Sequence, residues 1–238
     1  ATAPPIQGAF IDDVVIYVSI EEIDGLFGVL GSAGPCFIRG SNGLTTAGSM
    51  RFDVDDLDRL ADEDRLELVI LHEMGHVLGI GTLWSTQGFL QNAATPGQTA
   101  PGPDTHFDGP LAIAAFNTAG GQNRTAGQKV PVENTGNAGS INGHWRESVM
   151  DRELMTPFID SGVDNPLSII SVQSLADLGY EVSNDAADAY TVSNPNAVPG
   201  RVAPAEGKIP LVDDILWMPL RVVDEEGRVV RIIPAGGG

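Results

Sequence analysis

Cysteine is almost missing from this chain. Cys36 is the only one in 238 residues, so no intrachain disulfide can form and stability has to come from packing and from any bound metal. Basic residues are scarce too, with 13 Lys and Arg against 32 Asp and Glu for a net charge of −19 at pH 7. A surface that negative repels phosphate backbones and anionic lipid, which sets nucleic acid and membrane surfaces aside as partners. There is no long uncharged apolar run, hence neither a signal peptide nor a membrane span is expected. The opening "ATAPPIQGAF" lacks an initiator Met, as a chain whose leader had been removed would. Internal repeats and coiled-coil heptads are absent as well.

What is plentiful is Gly (29) and Pro (16), which argues for a loop-rich fold of mixed α and β character. The length suits one globular unit with two subdomains. Surplus acid can serve solubility, a salty medium or calcium binding. The clusters "DVDDLD" (Asp53 to Asp58) and Asp104 with Asp108 match no defined calcium loop, so Ca2+ is weakly supported there and solvated surface acid is the expectation.

Along the chain, "FIDDVVIYVSI" (Phe10 to Ile20) reads as a strand, and "GSMRFDVDDLDRL" as a half-buried strand followed by an acidic turn. A helix is expected from an N-cap at Asp62 to Gly79, with Leu66, Ile70, Leu71, Met74, Val77 and Leu78 facing the core and His72 and His76 on the opposite side. From Gly81 to Gly143 the sequence is rich in turn residues, with helical potential only at "PLAIAAFN". "SIISVQSLADLGY" (Ser168 to Tyr180) reads as a second helix, with Ser171 as candidate N-cap and Gly179 as its stop. The boundaries are therefore 1–192 for one domain, divided at about residue 80, and 193–238 for a Pro-rich tail with a hairpin turning near Glu226 and Gly227.

The chemistry is concentrated in "LVILHEMGHVLGIGTLW" (Leu68 to Trp84). On a helix, residues four apart are neighbours, so His72 and His76 can aim ring nitrogens at one point about 2.0–2.1 Å from each, as zinc requires. Glu73 is rotated about 100° from His72, where a carboxylate can take a proton from water rather than ligate. Two histidines make an incomplete site, and the residues offer His106 and His144 as the remaining imidazoles.

The pattern HExxHxxG resembles the metzincin metallopeptidases, whose compact form places a third ligand three residues after the glycine. Here that residue is Thr82, a poor ligand for zinc. The order "HEMGHVLGIG", a long insertion, "GHW", "ELMTPF" and "SIISVQSLADLGY" is similar instead to the leishmanolysin group, in which the third histidine follows an insertion. That resemblance covers about Met50 to Tyr180. It implies His72, His76 and His144 as ligands of one Zn2+, Glu73 as general base, and Met155 as the methionine of a turn packed under the metal. Gly79 would turn the chain out of the helix.

The same resemblance implies an α+β fold: a twisted mixed sheet and active-site helix first, then a loop-rich part with a closing helix. It implies a secreted zinc endopeptidase, disulfide-free in contrast to its relatives, acting on protein or peptide substrates. An extended substrate would lie across the domain, pairing with an edge strand at Met50 to Val54. Two other functions use the same residues: a secreted binding or adhesion module with a structural zinc, and a zinc hydrolase of a non-peptide amide. Cys36 is expected to be a small buried residue rather than a thiolate switch.

Overall fold

The structure is a computed structural model, describing residues 11–100, 102–192 and 207–235. The elements in chain order are β1 (Val15–Glu21), β2 (Gly31–Arg39), β3 (Thr45–Asp53), α1 (Val54–Asp62), α2 (Leu66–Leu78), β4 (Leu90–Gln91), β5 (His106–Phe107), α3 (Pro110–Phe116), α4 (Gln122–Thr125), β6 (Val130–Pro131), α5 (Glu147–Met150), β7 (Phe158–Asp160), α6 (Ile169–Leu178), β8 (Lys208–Pro210), β9 (Leu220–Val223) and β10 (Val229–Ile233). The chain divides into two compact units, one built from residues up to Thr82 and from Val212 onward, the other from Leu83 to Leu211.

The first unit is a mixed five-stranded sheet in the order β1-β3-β2-β9-β10. β3 lies inside it, parallel to β1 and antiparallel to β2, so both its edges are used. The expectation that Met50 to Val54 offers an edge to substrate is therefore corrected: β1 and β2 already take its backbone groups. The antiparallel strands β9 and β10 join at Asp224 to Arg228, and β9 runs parallel to β2. Of the described tail, β9 and β10 thus complete the first sheet, whereas β8 pairs with β7 in the second unit; residues 193–206 and 236–238 lie outside the described residues.

Asp53 ends β3 and starts α1. Its carboxylate accepts N–H groups from Asp55 at the helix start and from Ile23, Asp24 and Gly25 in the loop after β1. The "DVDDLD" stretch is thus helix rather than turn, and Asp53 and Asp56 are fully buried rather than solvated. α1 ends at Asp62, the residue expected to begin the next helix. Asp64 adopts a positive φ of 56° that turns the chain, and α2 starts one residue after Arg65.

α2 packs on the sheet beside Gly48, which has no Cβ; one placed there would stand 2.5 Å from Val77 Cγ1. Its buried residues include Val69, His72, Glu73, His76 and Val77, whereas Leu71 and Met74 are 37% and 36% exposed. The expected faces are therefore reversed in part. Apolar residues surround this helix, so periodicity did not distinguish its inner side. Cys36 is buried in β2.

In the second unit, the fully buried Trp84, Phe107 and Trp145 form an aromatic core with ring centroids 4.5–5.8 Å apart. α6 begins with Ser168 as N-cap, its hydroxyl accepting from Ile170 and Ser171 N–H, and ends at Gly179 with φ 112°. Ser171, the expected cap, is inside the helix. Asp177 on α6 receives the N–H groups of Leu111 and Ala112 and so caps α3. No helix among the described residues is long and apolar enough to cross a membrane.

Candidate metal centre

α2 sets His72 and His76 one turn apart, and their Nε2 atoms meet at 2.9 Å. His76 Nδ1 lies 2.9 Å from the carbonyl of Ile80. A carbonyl can only accept, so Nδ1 carries the proton and Nε2 presents a lone pair toward His72. The chain just beyond α2 makes this possible. Gly79 takes φ 118°, and Ile80 N–H returns to Gly75 O, which closes the helix and turns the Ile80 carbonyl onto the ring. Thr82 donates its hydroxyl to His76 O at 2.7 Å, so it secures the backbone of a histidine instead of replacing one.

A third group reaches the pair, and nothing in the sequence pointed to it. Asp214, on the chain's return to the first sheet, places Oδ2 3.3 Å from His72 Nε2 and 3.8 Å from His76 Nε2. All three side chains are essentially inaccessible, and their ligand atoms lie within 4.8 Å of one another. Two imidazole nitrogens and a carboxylate oxygen, buried and convergent, make a donor set that fits a divalent metal ion. Burying these groups side by side is costly without a cation to share.

Glu73 is also fully buried, and neither of its oxygens has a hydrogen-bond partner among the described residues. Burial, and then the nearby Asp214 charge, push its carboxyl well above the ordinary carboxylate range. Burial thus strengthens this carboxylate's affinity for a proton, the property a proton-accepting group needs.

His144 belongs to the second unit and is clamped there. Its Nδ1 sits 2.9 Å from Ser140 O, the arrangement His76 makes with Ile80, while its carbonyl accepts from Glu133 N–H at 2.8 Å. The neighbouring Trp145 donates its backbone N–H to Met155 O, and Met155 is fully buried. His106 is placed differently. It lies on β5 against Asp104, with a side chain 16% exposed and Nδ1 2.6 Å from the Asp104 carbonyl.

A second acidic group, Glu147, Asp151 and Asp160, has the composition of a cation site, and Lys208 occupies it. Its ammonium contacts Glu147 Oε1, Asp151 Oδ1 at 2.8 Å and Asp160 Oδ1 at 2.9 Å. Asp104, from the other acidic pair considered for calcium, bonds Lys129.

Among known proteins, the family described as leishmanolysin, a peptidase family, matches residues 6–195, well over half of the chain. No curated protein matches it.

Proposed function

The chain belongs to the leishmanolysin family of metallopeptidases, and from that premise we propose that it is a zinc endopeptidase whose general base is Glu73. The observation that carries this reading is the buried convergence of His72 and His76 beside a carboxyl with no hydrogen-bond partner among the described residues. A purely structural zinc would leave Glu73 without a task. His144 is the proposed third ligand: like His76, it commits Nδ1 to a backbone carbonyl, which presents Nε2 for ligation.

Bound zinc would supply Lewis-acid polarisation of the scissile carbonyl and a water of lowered pKa. Glu73 would be the residue that takes a proton from a water molecule there and returns it to the leaving amine. Its burial excludes competing proton partners. Ile80 and Ser140 keep the His76 and His144 rings in the ligating tautomer, and Met155 supports the turn beside Trp145 by packing. The substrates are proteins or peptides, met outside the cell as the family resemblance implies.

Glu73→Gln in the full chain should lower hydrolysis of unfolded casein by about 10²–10⁴-fold while bound zinc stays near that of the parent. His144→Ala should lose the metal, and His106→Ala should keep it. Full activity of Glu73→Gln in a clean preparation would remove the assigned base, and metal loss from His106→Ala in place of His144→Ala would remove the third ligand.

A further inference from the structure

We propose that the stretch Val212–Trp217 is a built-in latch, with the Asp214 carboxylate as a further ligand to the metal held by His72 and His76. The proposal rests on the reading of that histidine pair as the metal site, and goes beyond it by assigning a closed, latent form.

The first support is the position of Asp214. A carboxylate that is 1% exposed is costly to bury unless a positive charge meets it. Among its neighbours are the ring nitrogen of His72 at 3.3 Å and that of His76 at 3.8 Å. A divalent ion at the point where these nitrogens and the carboxylate oxygen converge would supply that charge. A carboxylate ligand would take the coordination position that a water molecule needs, and Glu73 would then have no water to deprotonate.

The second support is the seat of the segment. Ala33 on β2 donates its N–H to Asp214 O at 2.7 Å and accepts from Leu216 N–H at 2.8 Å. Gly34 lets the segment come this close, since a Cβ there would stand 2.7 Å from the Leu216 carbonyl oxygen. Asp213, at φ 47°, is the turn from which Asp214 enters. This side of β2 is the one not used by β3, and it is where an extended peptide could add as a strand. The chain therefore blocks an edge and a coordination position with the same few residues.

The third support is separability. β9 is anchored independently, through Phe37 to Arg39 of β2, so Val212–Trp217 can lift without unpairing β9. An extended peptide competing for the β2 edge is the kind of ligand that would displace it.

The test uses the full chain, stripped of metal and reloaded with one equivalent of Zn(II) for activity or Co(II) for visible absorption. Asp214→Asn and Asp214→Ala should alter the Co(II) spectrum, retain the metal and raise casein hydrolysis. A latch closed in nine molecules of ten predicts a rise of about tenfold. Gly34→Ala, which leaves every ligand in place, should produce a smaller rise by crowding Leu216, and the exposed neighbour control Asp213→Asn should match the parent.

Folded Asp214 variants with unchanged spectrum and activity would overturn the latch while leaving the peptidase reading intact. Loss of the metal from them would also overturn it, making Asp214 a permanent ligand. An altered spectrum with no hydrolysis by parent or any variant would support the ligand assignment and overturn the peptidase reading. If both Asp214 variants fail to fold, the Gly34→Ala chain decides: a rise in hydrolysis supports the latch, and none overturns it.

Discussion

Trp145 donates its indole N–H to the hydroxyl of Ser171 at 2.8 Å, and that hydroxyl donates in turn to Glu153 Oε1 at 2.6 Å. Glu153 also accepts from the Ser168 hydroxyl and N–H and, through Oε2, from Met155 N–H. One buried carboxyl thus ties the start of α6 to the methionine turn and to the residue after His144.

Removing that carboxyl leaves several buried donors without an acceptor. Glu153→Ala should therefore destabilise the chain by about 3–5 kcal/mol, and Ser171→Ala, which removes one link, by about 1 kcal/mol. Thermal unfolding checks this; equal melting of Glu153→Ala and parent would remove Glu153 from this role.

Gly48 and Val77 give a second expected outcome. A Cβ on residue 48 would stand 2.5 Å from Val77 Cγ1 and 2.9 Å from the Gly34 carbonyl oxygen, so Gly48→Ala has to push α2 away from the sheet. The cost should be about 1–3 kcal/mol. Because Val77 adjoins His76, zinc affinity measured by chelator competition should fall as well, and a variant that loses stability but no affinity would show that α2 tolerates the shift.

The Lys208 cluster carries a pH signature. Burial raises Glu147 from 4.5 to about 7, with Lys208 partly offsetting the rise. Between those values the folded state holds a proton that the unfolded chain has released, so this group makes stability fall as pH rises from about 4.5 to about 7. Urea unfolding across that range should show the fall in the parent, and Glu147→Gln should flatten it. Identical pH profiles would place the effect elsewhere.

The histidine pair was legible because i and i+4 on a helix are neighbours whatever the rest of the chain does. Gly79 and Gly179 were legible as helix stops for a similarly local reason, since each takes the left-handed conformation that glycine reaches without strain. The start of α2 was less so. Asp62 has the chemistry of an N-cap, yet Asp53 begins an earlier helix by collecting N–H groups from residues some thirty positions away. The buried side of α2 was hidden by leucines around its circumference, and no periodicity distinguishes a buried His-Glu-His face from a solvated one.

By itself, the sequence determined the two-histidine fragment with its adjacent glutamate, the α+β class and the family, all of which depend on local spacing and ordered motifs. Only tertiary structure decided what else reaches the histidines. Asp214 sits in "LVDDILW", which has no ligand spacing, and it arrives because residues 214 to 223 add along β2. Strand pairing between distant segments is set by which edge is open and by where a missing Cβ, as at Gly34, permits close approach. Those conditions belong to the assembled sheet, and they carried a carboxylate to a place that helix periodicity had already prepared.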